Sequence, residues 1–300
     1  MITSLEGSIP EDVPLSPDER VVAHALAAEE NLPRSLRVLR VGDAWLAEAD
    51  LSRFAYLGGR PVGELSATTS REDIDIWSEK ATPERLSRAK SWETLGDALY
   101  TAKHWRSAYL AYLVAVRQDP ATPVHWSDLA KVARWLGLLK AAQALLRTGL
   151  DRDPRAVNCW LELANVFDFA LRNVASGNVA YRQILSLGGG TAITPYNYAV
   201  NLEKIGDLET AYLCCLRACS MDPTDGKKFA RLTRLGTLLG KGDIDYSSWN
   251  DTLARELSDA MREGRYPPPL SEHDLQEAEL LVRGLPTLED AAIELSTLPV

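Results

Sequence analysis

The chain has 300 residues, 46% of them hydrophobic and 25% charged, with 33 Lys and Arg against 42 Asp and Glu. That composition supplies one large core or a stack of smaller ones and excludes a chain disordered throughout. A formal charge of −9 repels polyanions on average, so nucleic acid is not an expected partner outside some local basic patch.

The N-terminal stretch, residues 1 to 88, is irregular. Ser16-Pro17-Asp18-Glu19 reads as a helix start, with Ser as cap, Pro at the first position and Glu reaching back, and a helix is expected over 17–30. A second helix is expected from Asp43 to Leu57, stopped by Gly58-Gly59, although Arg37 to Trp45 also fits a strand. Residues 60–70 are rich in Gly, Pro, Ser and Thr and read as a flexible loop. The first residues carry no basic start or apolar segment of the secretory kind, and no run approaches the roughly 20 apolar residues of a membrane span. A cytoplasmic protein is therefore expected.

From residue 89 the sequence repeats. Trp92, Trp126 and Trp160 are spaced by 34 residues, and Asp119-Pro120 and Asp153-Pro154 keep the same interval. In the first repeat Trp92 is followed by Leu95, Gly96, Leu99, Ala108, Tyr112, Ala115 and Pro120. The second has Trp126, Leu129, Ala130, Ala133, Ala142, Leu146 and Pro154. The third has Trp160, Leu163, Ala164 and Phe167, and its helix B aligns best at Ala180 and Ile184, four residues late, which places an insertion around Arg172 to Gly177. The fourth has Pro195 in place of Trp, then Tyr198, Ala199, Leu202, Ala211, Ala218 and Pro223. Small residues at the fourth and sixteenth places after the Trp let two antiparallel helices approach closely, while Trp, Leu and aromatic positions fill the space around them.

These residues resemble the tetratricopeptide-repeat superfamily over residues 89–224. The resemblance implies an all-α fold, an α-solenoid of stacked antiparallel helix pairs, here with helical N- and C-terminal extensions. It also implies a concave groove lined by helix-A side chains outside the signature. Those are Lys90, Glu93, Asp97 and Tyr100, then Ser127, Lys131 and Arg134, then Asn158, Asn165 and Asp168, then Tyr196, Val200 and Glu203. The set has acidic ends around a basic centre at Lys131 and Arg134. Glu93 and Asp97 stand where one subfamily grips carboxylate tails with Lys and Asn, so that clamp is not expected here.

Beyond the repeats, residues 225–264 read as a degenerate helix pair. Ser247 or Ser248 is the expected cap of a helix whose stripe of Trp249, Leu253, Leu257 and Met261 is expected to pack on the helix near Phe229 to Leu239. Residues 265–300 hold a Pro-rich spacer at Tyr266 to Pro269 and two helices, 272–283 and 288–295, expected to cap the open end of the stack.

Chemistry is sparse. His24, His104, His125 and His273 show no metal spacing. Cys214, Cys215 and Cys219 crowd into one helix where disulfide geometry is unfavourable, and with Cys159 they are expected to be reduced core residues. Gly188-Gly189-Gly190 lacks the strand and the Lys-Ser/Thr of a phosphate loop and reads as a turn. No catalytic set, cofactor site or metal site is expected. The sequence points to an interaction scaffold or adaptor that holds a peptide or helix of a partner protein in its groove, with self-association left open. The alternative is a regulatory or substrate-recruiting subunit that meets an enzyme through its terminal extensions.

Overall fold

The computed structural model describes residues 38–41, 44–47, 83–242 and 244–292. The helix expected over 17–30 and the loop over 60–70 lie outside the described residues. Where a helix was expected from Asp43, residues 44–47 instead form a strand. Val38–Val41 (β1) pairs antiparallel with Ala44–Ala47 (β2), Val41 opposite Ala44. Val38, Leu39, Val41 and Trp45 favour a pleated backbone, and Gly42-Asp43 is a dipeptide suited to a hairpin, so local preference wins over the helical reading.

All other regular structure among the described residues is helical and falls into two compact bodies, one reaching Pro154 and including the segment from Leu285, the other spanning Arg155–Gly284. The first holds α1 (Pro83–Thr101), α2 (Trp105–Gln118), α3 (Pro123–Trp135) and α4 (Leu139–Arg152). Helices α1 and α2 pair, α3 and α4 pair, and α2 packs on α3. The second holds α5 (Val157–Asn165), a π turn (Val166–Ala170), α6 (Val174–Ser186), α7 (Ile193–Ile205) and α8 (Leu208–Met221). After these come α9 (Gly226–Leu238), α10 (Asp251–Arg262) and α11 (Glu272–Gly284). Here α5 pairs with α6, α7 with α8, and α6 packs on α7. Each body is thus a stack of antiparallel helix pairs, the α-solenoid arrangement.

The pairs close because small and large side chains are matched across them. A Cβ on Gly96 would lie 2.5 Å from the Tyr112 ring, so the first pair needs glycine opposite its tyrosine. The second sets Ala130 at the same place and Leu146 at the place of Tyr112, and the fourth sets Ala199 and Cys215. All of these side chains are buried, together with Trp92, Trp126, Trp160, Leu95, Leu129 and Leu163. Trp126 spends its one donor on the Pro120 carbonyl at 2.8 Å, so the Asp-Pro turn of one repeat is tied to the first helix of the next.

The third repeat is irregular by one residue, not four. The turns between the paired helices carry a left-handed residue at Lys103, Gly137, Arg172 and Gly206. Counted from Trp92, Trp126, Trp160 and Pro195, only the Arg172 turn comes one place late. The π turn absorbs the extra residue, because a wider ring of the backbone ladder takes one more residue without breaking the helix. Helix α6 then begins at Val174, and Gly177, not Ala180, takes the place of Ala108 and Ala142, with Tyr181 in the place of Tyr112 and Leu146. Gly177 is buried, and its Cβ position faces Asn201 and Asp168.

The C-terminal helices depart from the expected cap. Asn250, rather than Ser247 or Ser248, accepts from the Thr252 and Leu253 amides at 3.0 and 3.1 Å and starts α10. Leu253, Leu257 and Ala260 are buried, and both α9 and α10 lie against α8. Glu256 of α10 accepts from the Tyr212 hydroxyl at 2.6 Å and pairs with Lys241 at 2.6 Å, which fixes α10 to the last repeat. Helix α11 packs on α6 of the same body instead of covering the last pair. Arg182 directs it there, its planar fork holding Asp274 and Glu277 together.

Two tests follow from this packing. Replacing Ala108 or Ala142 by Leu is expected to cost about 1 to 3 kcal/mol through overpacking, read as a lower midpoint in chemical unfolding; an unchanged midpoint in both would refute the pairing. Deleting Ala170 restores the 34-residue spacing and is expected to leave the helical circular dichroism and cooperative unfolding intact. Deleting Ala144 from within α4 rotates the rest of that helix by about 100° and is expected to abolish cooperative unfolding.

Candidate functional site

With the signature residues consumed by the core, the helix-A residues left over are the candidates. In the first body most of them take part in side-chain pairs. Lys90 pairs with Glu93 at 2.7 Å. Asp97 accepts from the buried Tyr112 hydroxyl at 2.6 Å, and burial together with this carboxylate raises the tyrosine well above its ordinary value. Lys131 pairs with Asp128 at 2.7 Å and lies over the rings of Tyr100 and Tyr112 at 4.7 and 5.5 Å. Burial raises the Asp128 carboxyl against the opposing pull of Lys131. Arg134 lies over the Trp135 ring at 5.3 Å. Ser127 differs from these, being buried and bonded to the Val124 carbonyl of its own helix, so it presents nothing to a groove.

Beside Glu93, the imidazole of His125 is buried between two carboxylates, 3.6 Å from Glu93 and 3.4 Å from Asp119. This internal cluster ties α1 to the start of α3.

In the second body Asn158 is exposed, and Asn165 donates to Glu162 at 3.2 Å. Asp168 is buried in the π turn, 3.3 Å from the Tyr181 hydroxyl that donates to it, and so is removed from any open surface. Tyr196 lies under the Arg231 guanidinium at 5.3 Å, and Glu203 pairs with both Arg231 and Arg234. Val200 is half-buried on the same helix. Sequence reasoning placed these helix-A residues but missed their cationic partners on α9, because that helix lacks the repeat signature.

Two aromatic residues were also missed. Trp105 and Trp135 stack at 5.3 Å with their rings 6° apart, Tyr100 meets Trp105 edge-on at 5.1 Å, and the Trp135 indole donates to the Tyr100 hydroxyl at 2.8 Å. Neither tryptophan obeys the 34-residue spacing, so a search for the repeat passes over them; their 30-residue separation across two helix ends was the available signal.

Cys159, Cys214, Cys215 and Cys219 are buried free thiols, and burial raises Cys214 far above its usual range. Among the described residues no group of three or more His, Cys, Asp or Glu is placed to hold a metal ion, and no helix is long and apolar enough to cross a membrane.

The paired helices, with small residues at their crossing and a leftover helix-A surface, define a helical-repeat protein of the α-solenoid fold. No protein-family model and no curated protein matches the sequence. Similar solved structures include MamA from residue 41 to its end, from Desulfovibrio magneticus RS-1, with 13% identity, 60% of this chain and 97% of that one covered, and a TM-score of 0.43. A second MamA structure matches at 16% identity over 61% of this chain and 97% of that one, TM-score 0.42. YrrB, a TPR protein with an unusual peptide-binding site, matches at 12% identity over 59% of this chain and 88% of that one, TM-score 0.41.

Lys131 is more than a solvated charge, since its side chain is only 20% exposed. Lys131→Glu is expected to lower stability by about 1 to 3 kcal/mol, because it sets a second carboxylate beside Asp128 and removes the cation from two tyrosine faces. Lys131→Met, which keeps the apolar stem, should lose less. Equal unfolding midpoints for wild type and Lys131→Glu would contradict this.

Proposed function

We propose that the chain is a protein-binding scaffold whose helix-A surfaces hold a segment of a partner protein. The observation that carries this reading is the division of labour along α1 and α3. The signature side chains are buried in the helix pairs, while Lys90, Asp97, Tyr100, Lys131 and Arg134 form a polar and aromatic set outside that core. A surface with aromatic faces and charges of both signs suits a peptide better than a uniform polyanion. In the second body Asn158, Asn165, Tyr196, Val200 and Glu203 extend the same reading, while Ser127 and Asp168 drop out because they are buried. The buried thiols and the scattered histidines offer no grouped nucleophile and base, which favours binding over catalysis as the role of the described residues.

A second reading, a subunit that recruits a substrate or regulates an enzyme on another chain, would use the terminal extensions. Affinity capture with the whole chain, followed by titration of the identified partner, separates the two. The scaffold reading expects binding to persist when residues 1–82 are removed and to fall about tenfold or more on replacing Tyr100 by Ala and Arg134 by Glu together. Binding that is lost with residues 1–82 and indifferent to the double replacement would overturn it.

A further inference from the structure

The edge of the first body where the helix ends meet gathers three aromatic side chains beside exposed cations. Tyr100 at the end of α1, Trp105 at the start of α2 and Trp135 at the end of α3 converge there, and Trp135 remains 52% exposed although it is stacked, hydrogen-bonded and covered on one side by Arg134. An indole held rigidly with much of its surface in water loses little conformational freedom on binding and is a strong anchor. At these helix ends Lys103, Arg106, Lys131, Arg134 and Lys140 stand against Asp97 and Asp128, in a chain with a net charge of −9. Lys103 and Arg106, on either side of Trp105's helix start, are exposed, and among the described residues neither is in an ion pair. Lys103 also sits at φ 65, where the equivalent turns after α3 and α7 use Gly137 and Gly206. A side chain there costs about 1 kcal/mol, so the fold keeps a cation where a glycine would be more comfortable.

We propose that this edge is a docking site for an acidic peptide segment bearing a proline or aromatic side chain, the ring seated against Trp135 and the carboxylates paired with Lys103, Arg106 and Arg134. The proposal rests on the protein-binding reading above and names the chemistry of its partner. Charge complementarity selects the acidic segment, and the exposed edge of the indole, left free between Trp105 and Arg134, selects a ring packed against it edge-on. A long polyanion fits less well, because the exposed Asp97 lies one turn before Tyr100 on α1 and the chain as a whole carries a charge of −9.

The test is selection of a displayed random dodecapeptide library on the whole chain, on Trp135→Ala, and on Lys103→Glu/Arg106→Glu. Peptides enriched on wild type should carry Asp or Glu together with Pro or an aromatic residue. The synthesised consensus peptide should lose about tenfold or more in affinity to either variant and retain it with Trp135→Phe, which keeps the stack. If peptides are selected without acidic enrichment, or bind the variants as well as wild type, the edge is not the site although the scaffold reading stands. If no peptide is selected, both readings fail. A dodecamer of oligouridylate that binds more tightly than the consensus peptide, with the same sensitivity to Trp135→Ala, would overturn the peptide in favour of RNA. Should Trp135→Ala fail to fold, the charge-reversed variant, altered only at exposed positions, still decides the matter.

Discussion

The structure depends on how closely two antiparallel helices can approach. The Tyr112 ring meets Gly96 at a distance that no β-carbon tolerates, and the second and fourth pairs relax the same contact to Ala with Leu and Ala with Cys. This exchange of volume between two positions keeps each pair filled while its sequence changes. It also decides which residues are available for anything else. Once the signature positions are spent on the pair, the remaining helix-A positions and the helix ends are left among those that face outward, and the candidate surface is drawn from what the packing leaves over.

Most of the repeat region was legible in the sequence for that reason. Trp92, Trp126 and Trp160 keep their interval because each fills an equivalent space, and the Asp-Pro pairs mark equivalent turns. The third repeat was misread because alignment by residue type prefers the alanine at position 180, whereas the backbone places Gly177 at the crossing. A π turn leaves no composition signal. The clue was the interval of 35 residues between Trp160 and Pro195, one longer than the rest.

The side-chain partners of the candidate residues were not legible in the sequence. Lys131 was placed on the outward face as part of a basic centre. In the folded chain Asp97 is taken by Tyr112, Asp168 by Tyr181, and Lys131 pairs with Asp128 on its own helix. Helical spacing tells which residues share a face, but it does not tell which partner wins among several within reach. The placement of α11 on α6 was illegible for a related reason, since Arg182 finds Asp274 and Glu277 about ninety residues away, in a segment beyond the last repeat.

Function in this account resides on the faces that pairing cannot bury. Amide hydrogen exchange of the whole chain, with and without its captured partner, tests that most directly. The account predicts added protection concentrated in α1, in α3 and at the helix ends around Trp105 and Trp135, with the opposite faces of α2 and α4 unchanged. Protection confined to α11 and the segments after it, with α1 and α3 unaffected, would contradict it.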